Sequence, residues 1–341
     1  MSRLKVSLIG YGFAAKAFHL PIILNNENYE LKQIMTRNKT RQKEIKSLYP
    51  NVEIITSYDD AVKSSEIDLV VIATTNDVHY EYTKKALENN KNVICEKPFV
   101  PTHKEALELF ELAKKNNLIL KVYHNRKYNG DILTLKELMK KVDFGKLLSF
   151  ESRYDRLIPD GSDNWRFKDN FMAGLFYDLG PHIVHNAIDL FGMPESVFAQ
   201  LYLEADNIVV DDHFEILLNY NNGFKVLLGA EMYLRDERPK LRLIGSKHTY
   251  VKYGHDVPDS VSYPVDDIYQ ESNLKSLLID NLETAYKIDL LKGKHYLFYE
   301  DFYKDFKNKN YDNEDVKLNL SVVLVMEKAL ESFVKGKIVK I

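Results

Sequence analysis

Three short stretches hold residue types that can polarise an oxygen, move a proton or cradle a phosphate. "NVICEKPFVP" runs an apolar strand, Asn92–Cys95, straight into Glu96, Lys97 and Pro98. An ammonium held on such a stiffened turn can hydrogen-bond a reacting oxygen and stabilise the negative charge that develops there. "YDLGPH" sets Asp178 and His182 four residues apart, with Gly180 and Pro181 between them. Pro181 suits the first turn of a helix, so a helix is expected to begin there. Four-residue spacing then makes the carboxylate and the imidazole neighbours. Such a carboxylate orients the ring, fixes its tautomer and raises its basicity. The plainer reading of the pair is an Asp helix cap over a packed histidine. "GYGFAA" carries Gly10-x-Gly12-x-x-Ala15. In that pattern the first glycine turns the chain, the second lets a pyrophosphate approach, and the alanine lets helix and strand pack closely. The first-turn set is therefore Gly10, Tyr11, Gly12, Phe13 and Ala15.

These groups need a scaffold, and the first third of the chain supplies one. Strand-like runs at Leu4–Gly10, Leu31–Thr36, Val52–Ile55, Asp68–Thr74, Asn92–Cys95 and Leu118–Tyr123 alternate with helical patterns. "DLVVIAT" is continuously apolar, as a parallel strand covered on both faces requires. Pro21 is expected to distort the first helix. The alternation predicts an α/β fold class: an N-terminal doubly wound Rossmann domain over residues 1–122. "GYGFAA" falls between a strand and a helix, the context in which the motif is informative.

From residue 123 the pattern changes. The half-exposed strand "LLSFESRYD", three antiparallel-looking strands between 196 and 234, and a hairpin turn "NNG" predict a C-terminal α+β domain over 123–341. Its sheet is expected to be open and mainly antiparallel. An uncovered apolar sheet face of that size favours association, so a homodimer or homotetramer is expected.

Bulk properties narrow the function classes. The chain has 341 residues, a formal net charge of −3 and 45% hydrophobic residues. That balance argues against nucleic acid and against a basic membrane-facing surface. No run of about 18 apolar residues predicts a membrane span. The single cysteine excludes an intramolecular disulfide and fits a reducing compartment, so a cytoplasmic location is expected. The first strand begins almost at residue 1, which leaves no room for a signal peptide.

The end of the second strand indicates the cofactor. An NAD-preferring domain places an acid there for the ribose 2′-hydroxyl. Here "IMTRNKTR" offers Thr36, Arg37, Lys39 and Arg41 and no acid. An arginine suits a 2′-phosphate, so NADP(H) is favoured, with NAD left open. A metal set from His182, His185 and Asp189 would need another ligand, and the intervening residues read as core, so no metal is expected.

The three stretches, in this order and spacing, closely resemble the Gfo/Idh/MocA oxidoreductases. "ATTNDVHYEYTKKAL" is similar to that family's T-x-x-x-H segment. "MTR", "VYHNRKYNGDILTLKEL" and "YDLGPHIVHNAIDLFGMP" most resemble its NADP-dependent scyllo-inositol dehydrogenase branch. The resemblance implies reversible hydride transfer between nicotinamide and a secondary alcohol or ketone of a sugar or cyclitol. It implies that Lys97, Asp178 and His182 are catalytic, that Glu96 and Pro98 shape the turn at Lys97, that Thr74, Thr75, Asn76 and His79 line the cofactor channel, and that Glu96 and Lys97 also border the cofactor. Ala15 in place of the third glycine and "AGLFYD" before the Asp are the departures from the family pattern. We read His182 as the general acid/base, Lys97 as the donor to the reacting oxygen and Asp178 as the group that orients the imidazole. A lysine base would need desolvation or neighbouring cations, which Glu96 opposes. Recognition of a polyol needs converging polar groups. Beyond Lys97, Asp178 and His182, the candidates are His124, Asn125 and Arg126, which follow a parallel strand's carboxyl end, and Tyr154, Arg156, Trp165 and Tyr177. The resemblance leaves two alternatives: a dinucleotide-binding sensor or co-regulator without turnover, or a reductase of a non-sugar carbonyl or tetrapyrrole. A cis Lys97–Pro98 peptide is expected.

Overall fold

The computed structural model describes residues 3–157, 168–205, 208–236, 238–254 and 275–341. Trp165 and residues 255–274 lie outside the described residues. The chain forms two compact units.

In the first unit, β1 (Leu4–Ile9), β2 (Tyr29–Met35), β3 (Glu53–Ile55), β4 (Leu69–Ile72), β5 (Asn92–Cys95) and β6 (Leu120–Val122) form one sheet in the order 3-2-1-4-5-6. All neighbours are parallel. β4 and β5 have no exposed position, which is why β4 is continuously apolar and β5 departs from that only at Asn92, whose side chain is hydrogen-bonded to the Asp68 carbonyl and the Ile119 N–H. The connections hold α1 (Leu20–Asn25), α2 (Lys39–Leu48), α3 (Tyr58–Lys63), α4 (His79–Glu88) and α5 (His103–Lys115). α5 starts at a reciprocal cap between Thr102 and Glu105 and buries Ala106, Leu109, Phe110 and Ala113, one stripe at helical spacing. The expected distortion at Pro21 is a π-helical turn, Ala15–His19, just before α1. Proline has no N–H to give the preceding turn, and its ring crowds the carbonyl four residues back.

The second unit opens with α6 (Gly130–Lys141) and β7 (Leu147–Arg153), followed by α7 (Leu175–Phe191). Then come β8 (Ser196–Tyr202), β9 (His213–Asn219), β10 (Lys225–Glu231), β11 (Leu241–Gly245), β12 (Thr249–Lys252), β13 (Ser276–Asn281) and β14 (Thr284–Lys287). The chain ends with α8 (Leu297–Asn308), α9 (Glu314–Lys335) and β15 (Val339–Lys340). The nine strands form one sheet in the order 14-13-12-11-7-10-9-8-15. It is antiparallel except where β10 runs parallel to β7. The hairpin at Asn221–Gly223 joins β9 to β10, with Gly223 at φ 80. Phe214, Ile216 and Leu218 pair with Ala230, Leu228 and Val226 on the buried face, where α7 packs. Leu217 and Leu227 pair on the opposite face, where Leu227 is exposed.

The expected second domain, 123–341, differs from the observed division. Tyr296–Leu320, which holds α8 and the start of α9, belongs to the first unit, and the first boundary follows His124. Lys121 of β6 explains this. Its ammonium is buried against Asp305 at 2.6 Å and Asp315 at 2.9 Å. A buried ammonium needs such partners, and they lie almost two hundred residues along the chain. The sequence pattern did not indicate β13 and β14.

Candidate functional site

In the first unit, the carboxyl ends of adjacent strands gather the predicted residues. The strand order reverses between β1 and β4, and ligands in open parallel sheets bind at that crevice. Gly10 follows β1 with φ +100, and a Cβ there would lie 2.3 Å from the Ala73 carbonyl oxygen. Only glycine fits. A Cβ on Gly12 would meet no atom of the described residues within 4 Å. Protein packing therefore gives no reason for the second glycine, whereas a close-lying pyrophosphate does. Ala15 is fully buried, Tyr11 is buried with its hydroxyl donating to Glu44 at 3.3 Å, and Phe13 is exposed. After β2, Thr36 is buried and Arg37 is exposed, its Nε donating to the Thr56 carbonyl at 3.0 Å. No acid lies at this strand end. After β4, Thr75 is exposed, Asn76 is half-buried, and Thr74 Oγ1 is buried with no hydrogen-bond partner among the described residues.

Glu96 and Lys97 follow β5, and the Lys97–Pro98 peptide is cis as expected. Glu96 is buried, with Oε1 3.0 Å from His19 Nε2, and its Oε2 accepts the Lys97 N–H at 3.1 Å. Burial alone would raise its carboxyl; the His19 hydrogen bond and the Lys97 ammonium outweigh that and hold it below the usual range. On the far side of the turn, His79 Nδ1 donates to the Pro98 carbonyl at 2.8 Å. Burial lowers the His79 imidazole. His79 is 1% exposed, so its clear contribution is to hold the turn. Cys95 is fully buried, and burial pushes its thiol well up, so it is no nucleophile. His124, next to the end of β6, is buried.

In the second unit, Asp178 and His182 lie one turn apart on α7. The helix does not begin at Pro181. It begins at Leu175, and Pro181 lies in its interior. The cause is a cap from a distant loop: the Asp211 carbonyl accepts the Leu175 N–H at 2.9 Å and its carboxylate accepts the Phe176 N–H at 2.6 Å. Asp211, and not Asp178, caps the helix. Gly174 precedes the cap at φ +90, where a Cβ would fall 2.1 Å from Asp211 Oδ1. A Cβ on Gly180 would lie 2.9 Å from Met326 Cε of α9, the flexible end of a side chain that can shift to admit it. His182 is buried, while Asp178 and Tyr177 are half-buried. Asn125 is buried. Arg126 donates to the Tyr154 hydroxyl at 3.1 Å and lies 4.8 Å from that ring's centre, with Lys240 5.0 Å from it. Arg156 is exposed. Asp189 is ion-paired with Lys136 at 2.5 Å, and no group of three or more metal-ligating side chains is poised for a metal among the described residues.

The Asp211 cap yields a pH prediction. Burial, with Asp212 adding to it, raises the carboxyl to about 7. Because the folded-state value is raised, this group's contribution to stability is full below about pH 4 and is lost as pH rises through 7. The difference is on the order of 4 kcal/mol at full ionisation. Asp211→Asn keeps the acceptor and removes the titration. Thermal midpoints measured from pH 5 to 8 should fall for the wild type relative to this variant; parallel curves would contradict the assignment.

His19, Tyr299 and Asp211 gave no sequence signal as site residues. His19 follows the glycine turn within a helical pattern, and the other two have partners far along the chain.

Residues 4–124 match the family described as "Oxidoreductase family, NAD-binding Rossmann fold", and residues 132–251 match "GFO/IDH/MocA C-terminal domain". The chain is 38% identical over 253 residues to "Uncharacterized oxidoreductase YdgJ" of Escherichia coli (strain K12), covering 74% of this chain and 72% of that one. It is 31% identical over 253 residues to the "scyllo-inositol 2-dehydrogenase (NADP(+)) IolW" of Bacillus subtilis (strain 168), covering 74% and 70%. A solved oxidoreductase from Bacillus cereus superposes with a TM-score of 0.87 at 25% identity, over 99% of this chain and 100% of that one. By its glycine turn, its parallel sheet and these matches, the chain belongs to the Gfo/Idh/MocA family and is an NAD(P)-binding oxidoreductase.

Proposed function

We propose that the chain transfers hydride between NADP(H) and a secondary alcohol or ketone of a cyclitol or sugar, of the scyllo-inositol type. The observation that carries this reading is the turn after β5. Lys97 follows a carboxylate held from both sides, two strands from the glycine loop along the same sheet edge. The likeness to IolW supports the substrate class and the cofactor, and the acid-free end of β2, with Arg37, supports NADP.

The residues present fit a dinucleotide. Gly12 leaves the backbone open, the helix that begins at Phe13 would offer its free N–H groups to a pyrophosphate, and Thr36 and Arg37, at the end of β2, would meet the adenosine side. When bound, the nicotinamide accepts or gives the hydride. Lys97 donates a hydrogen bond to the reacting oxygen, which stabilises charge developing there. His182 takes the hydroxyl proton in oxidation and returns it in reduction, since an imidazole titrates near neutrality. Asp178, one turn before it, orients the ring and meets substrate hydroxyls. His124, Asn125, Tyr154, Arg156, Trp165 and Tyr177 are the further substrate candidates. The protein is proposed to act in the cytoplasm as a homodimer or homotetramer through the open sheet face; no described helix is long and apolar enough to cross a membrane.

A panel of cyclitols, aldoses and dicarbonyls, assayed with NADP(H) and NAD(H), tests the proposal. Turnover of a cyclitol or sugar is expected, with kcat/KM at least about tenfold higher for NADP than for NAD. A strong NAD preference would overturn the cofactor assignment. Tight dinucleotide binding without turnover across the panel would favour a sensor, and turnover confined to dicarbonyls would favour a non-sugar reductase.

A further inference from the structure

We infer that His19 and Tyr299 are positioning residues for Lys97, acting through Glu96; this rests on the role proposed for Lys97. Four groups form one hydrogen-bonded line inside the first unit. Tyr299 Oη lies 2.7 Å from His19 Nδ1, His19 Nε2 lies 3.0 Å from Glu96 Oε1, and Glu96 Oε2 accepts the Lys97 N–H at 3.1 Å. His19 and Tyr299 are fully buried, and Glu96 is 7% exposed.

The chemistry gives the line a direction. An ionised carboxylate only accepts, so His19 donates from Nε2. Burial and neighbouring tyrosines keep Tyr299 a phenol, so it has one proton to give, and Nδ1 is the acceptor it faces. The line therefore runs from the Tyr299 hydroxyl through the imidazole to the carboxylate that holds the Lys97 backbone.

Packing keeps the imidazole in place. The Tyr123 ring lies 4.2 Å from it, centre to centre, and Tyr299 meets it edge-on at 6.0 Å. The Tyr29 hydroxyl fixes the Tyr299 backbone carbonyl at 2.5 Å. His19 ends the π-helical turn, an insertion found mostly as a single turn and often at functional sites.

A buried carboxylate is an expensive way to fill space, and apolar replacements of such groups are often neutral or stabilising. What Glu96 gains here is a fixed Lys97 backbone, with His79 holding the Pro98 carbonyl beyond it. Mispositioning of a reacting group by about 1 Å can cost on the order of a hundredfold in rate.

The test compares His19→Leu, His19→Gln, Tyr299→Phe and Lys97→Ala in the full-length protein, using the panel substrate with the highest turnover. His19→Leu should lower kcat about ten- to a hundredfold, with the NADPH dissociation constant changed by less than about threefold. His19→Gln, whose amide can still donate to Glu96, should recover most of that loss. Tyr299→Phe keeps the ring and should lower kcat about three- to tenfold. In nitrogen-15 spectra of the wild type, the His19 imidazole should carry its proton on Nε2, and Tyr299→Phe should shift the Nδ1 resonance. Should His19→Leu fail to fold, the Gln and Phe variants and the spectra still decide. Wild-type kcat in His19→Leu or Tyr299→Phe, equal loss in His19→Leu and His19→Gln, or a proton on Nδ1 would each overturn the inference. If Lys97→Ala is inactive while the His19 variants are not, only the positioning role fails. If Lys97→Ala is active, the role of Lys97 itself fails.

Discussion

Lys97→Ala is expected to lower turnover at least about a hundredfold while NADPH still binds. The two halves of that expectation have separate physical sources. On the proposed reading, dinucleotide affinity comes mainly from the glycine loop after β1 and the strand ends beside it, which the substitution leaves in place. On the proposed mechanism, turnover depends on a donor to an oxygen that gains charge, and the backbone that carries this one is held on both sides. Its backbone N–H is held by Glu96, Glu96 is held by His19, and the following carbonyl is held by His79. Alanine keeps that backbone and removes only the ammonium, so the defect should appear in kcat. Arginine at the same place should not restore activity, because its planar fork does not put a donor where an ammonium sits. Steady-state kinetics beside a fluorescence titration of NADPH would check this. Near-normal turnover in Lys97→Ala would defeat the assignment.

Gly10→Ala and Gly12→Ala should fail in different ways, and the contrast tests the cofactor site without any substrate. A methyl on Gly10 meets the Ala73 carbonyl oxygen at 2.3 Å, on backbone at φ +100. The strands cannot easily separate, since Ala73 N–H donates to the Ile9 carbonyl at 2.9 Å and β1 pairs with β4 through Ile9 and Ile72. The positive φ alone costs about 1–3 kcal/mol, so a loss of roughly 3 kcal/mol or more in stability is expected, together with weakened dinucleotide binding. A methyl on Gly12 meets nothing among the described residues. That variant should keep a near-normal thermal midpoint yet bind NADPH at least about tenfold more weakly, because the methyl stands where the pyrophosphate approaches. Wild-type NADPH affinity in Gly12→Ala would show that the cradle lies elsewhere.

Much of this architecture was legible before any coordinates. Strand and helix alternation, the glycine turn and the strand that ends on Glu96 and Lys97 each express a local rule of hydrophobic period or backbone conformation. The start of α7 shows where local rules fail. Proline favours the first helical turn, so Pro181 pointed to the wrong boundary. Asp211, 35 residues away, caps the helix at Leu175 and Phe176 instead. α8 misled in the same way. It follows the second sheet in sequence, yet Lys121 and Tyr29 tie it to the first unit.

The sequence by itself determined the order of the elements, the parallel sheet and the second, mainly antiparallel sheet, and it singled out Lys97, Asp178 and His182 as candidates. Each of these depends on residues within a turn or two of one another. Only the tertiary structure decided who holds them. His19 lies 77 residues from Glu96 and 280 from Tyr299. Histidines and tyrosines are common in this chain, and nothing in their local spacing marks these two. Their role follows from burial, where a carboxylate must find donors, and the donors it finds are set by packing and not by proximity in the chain.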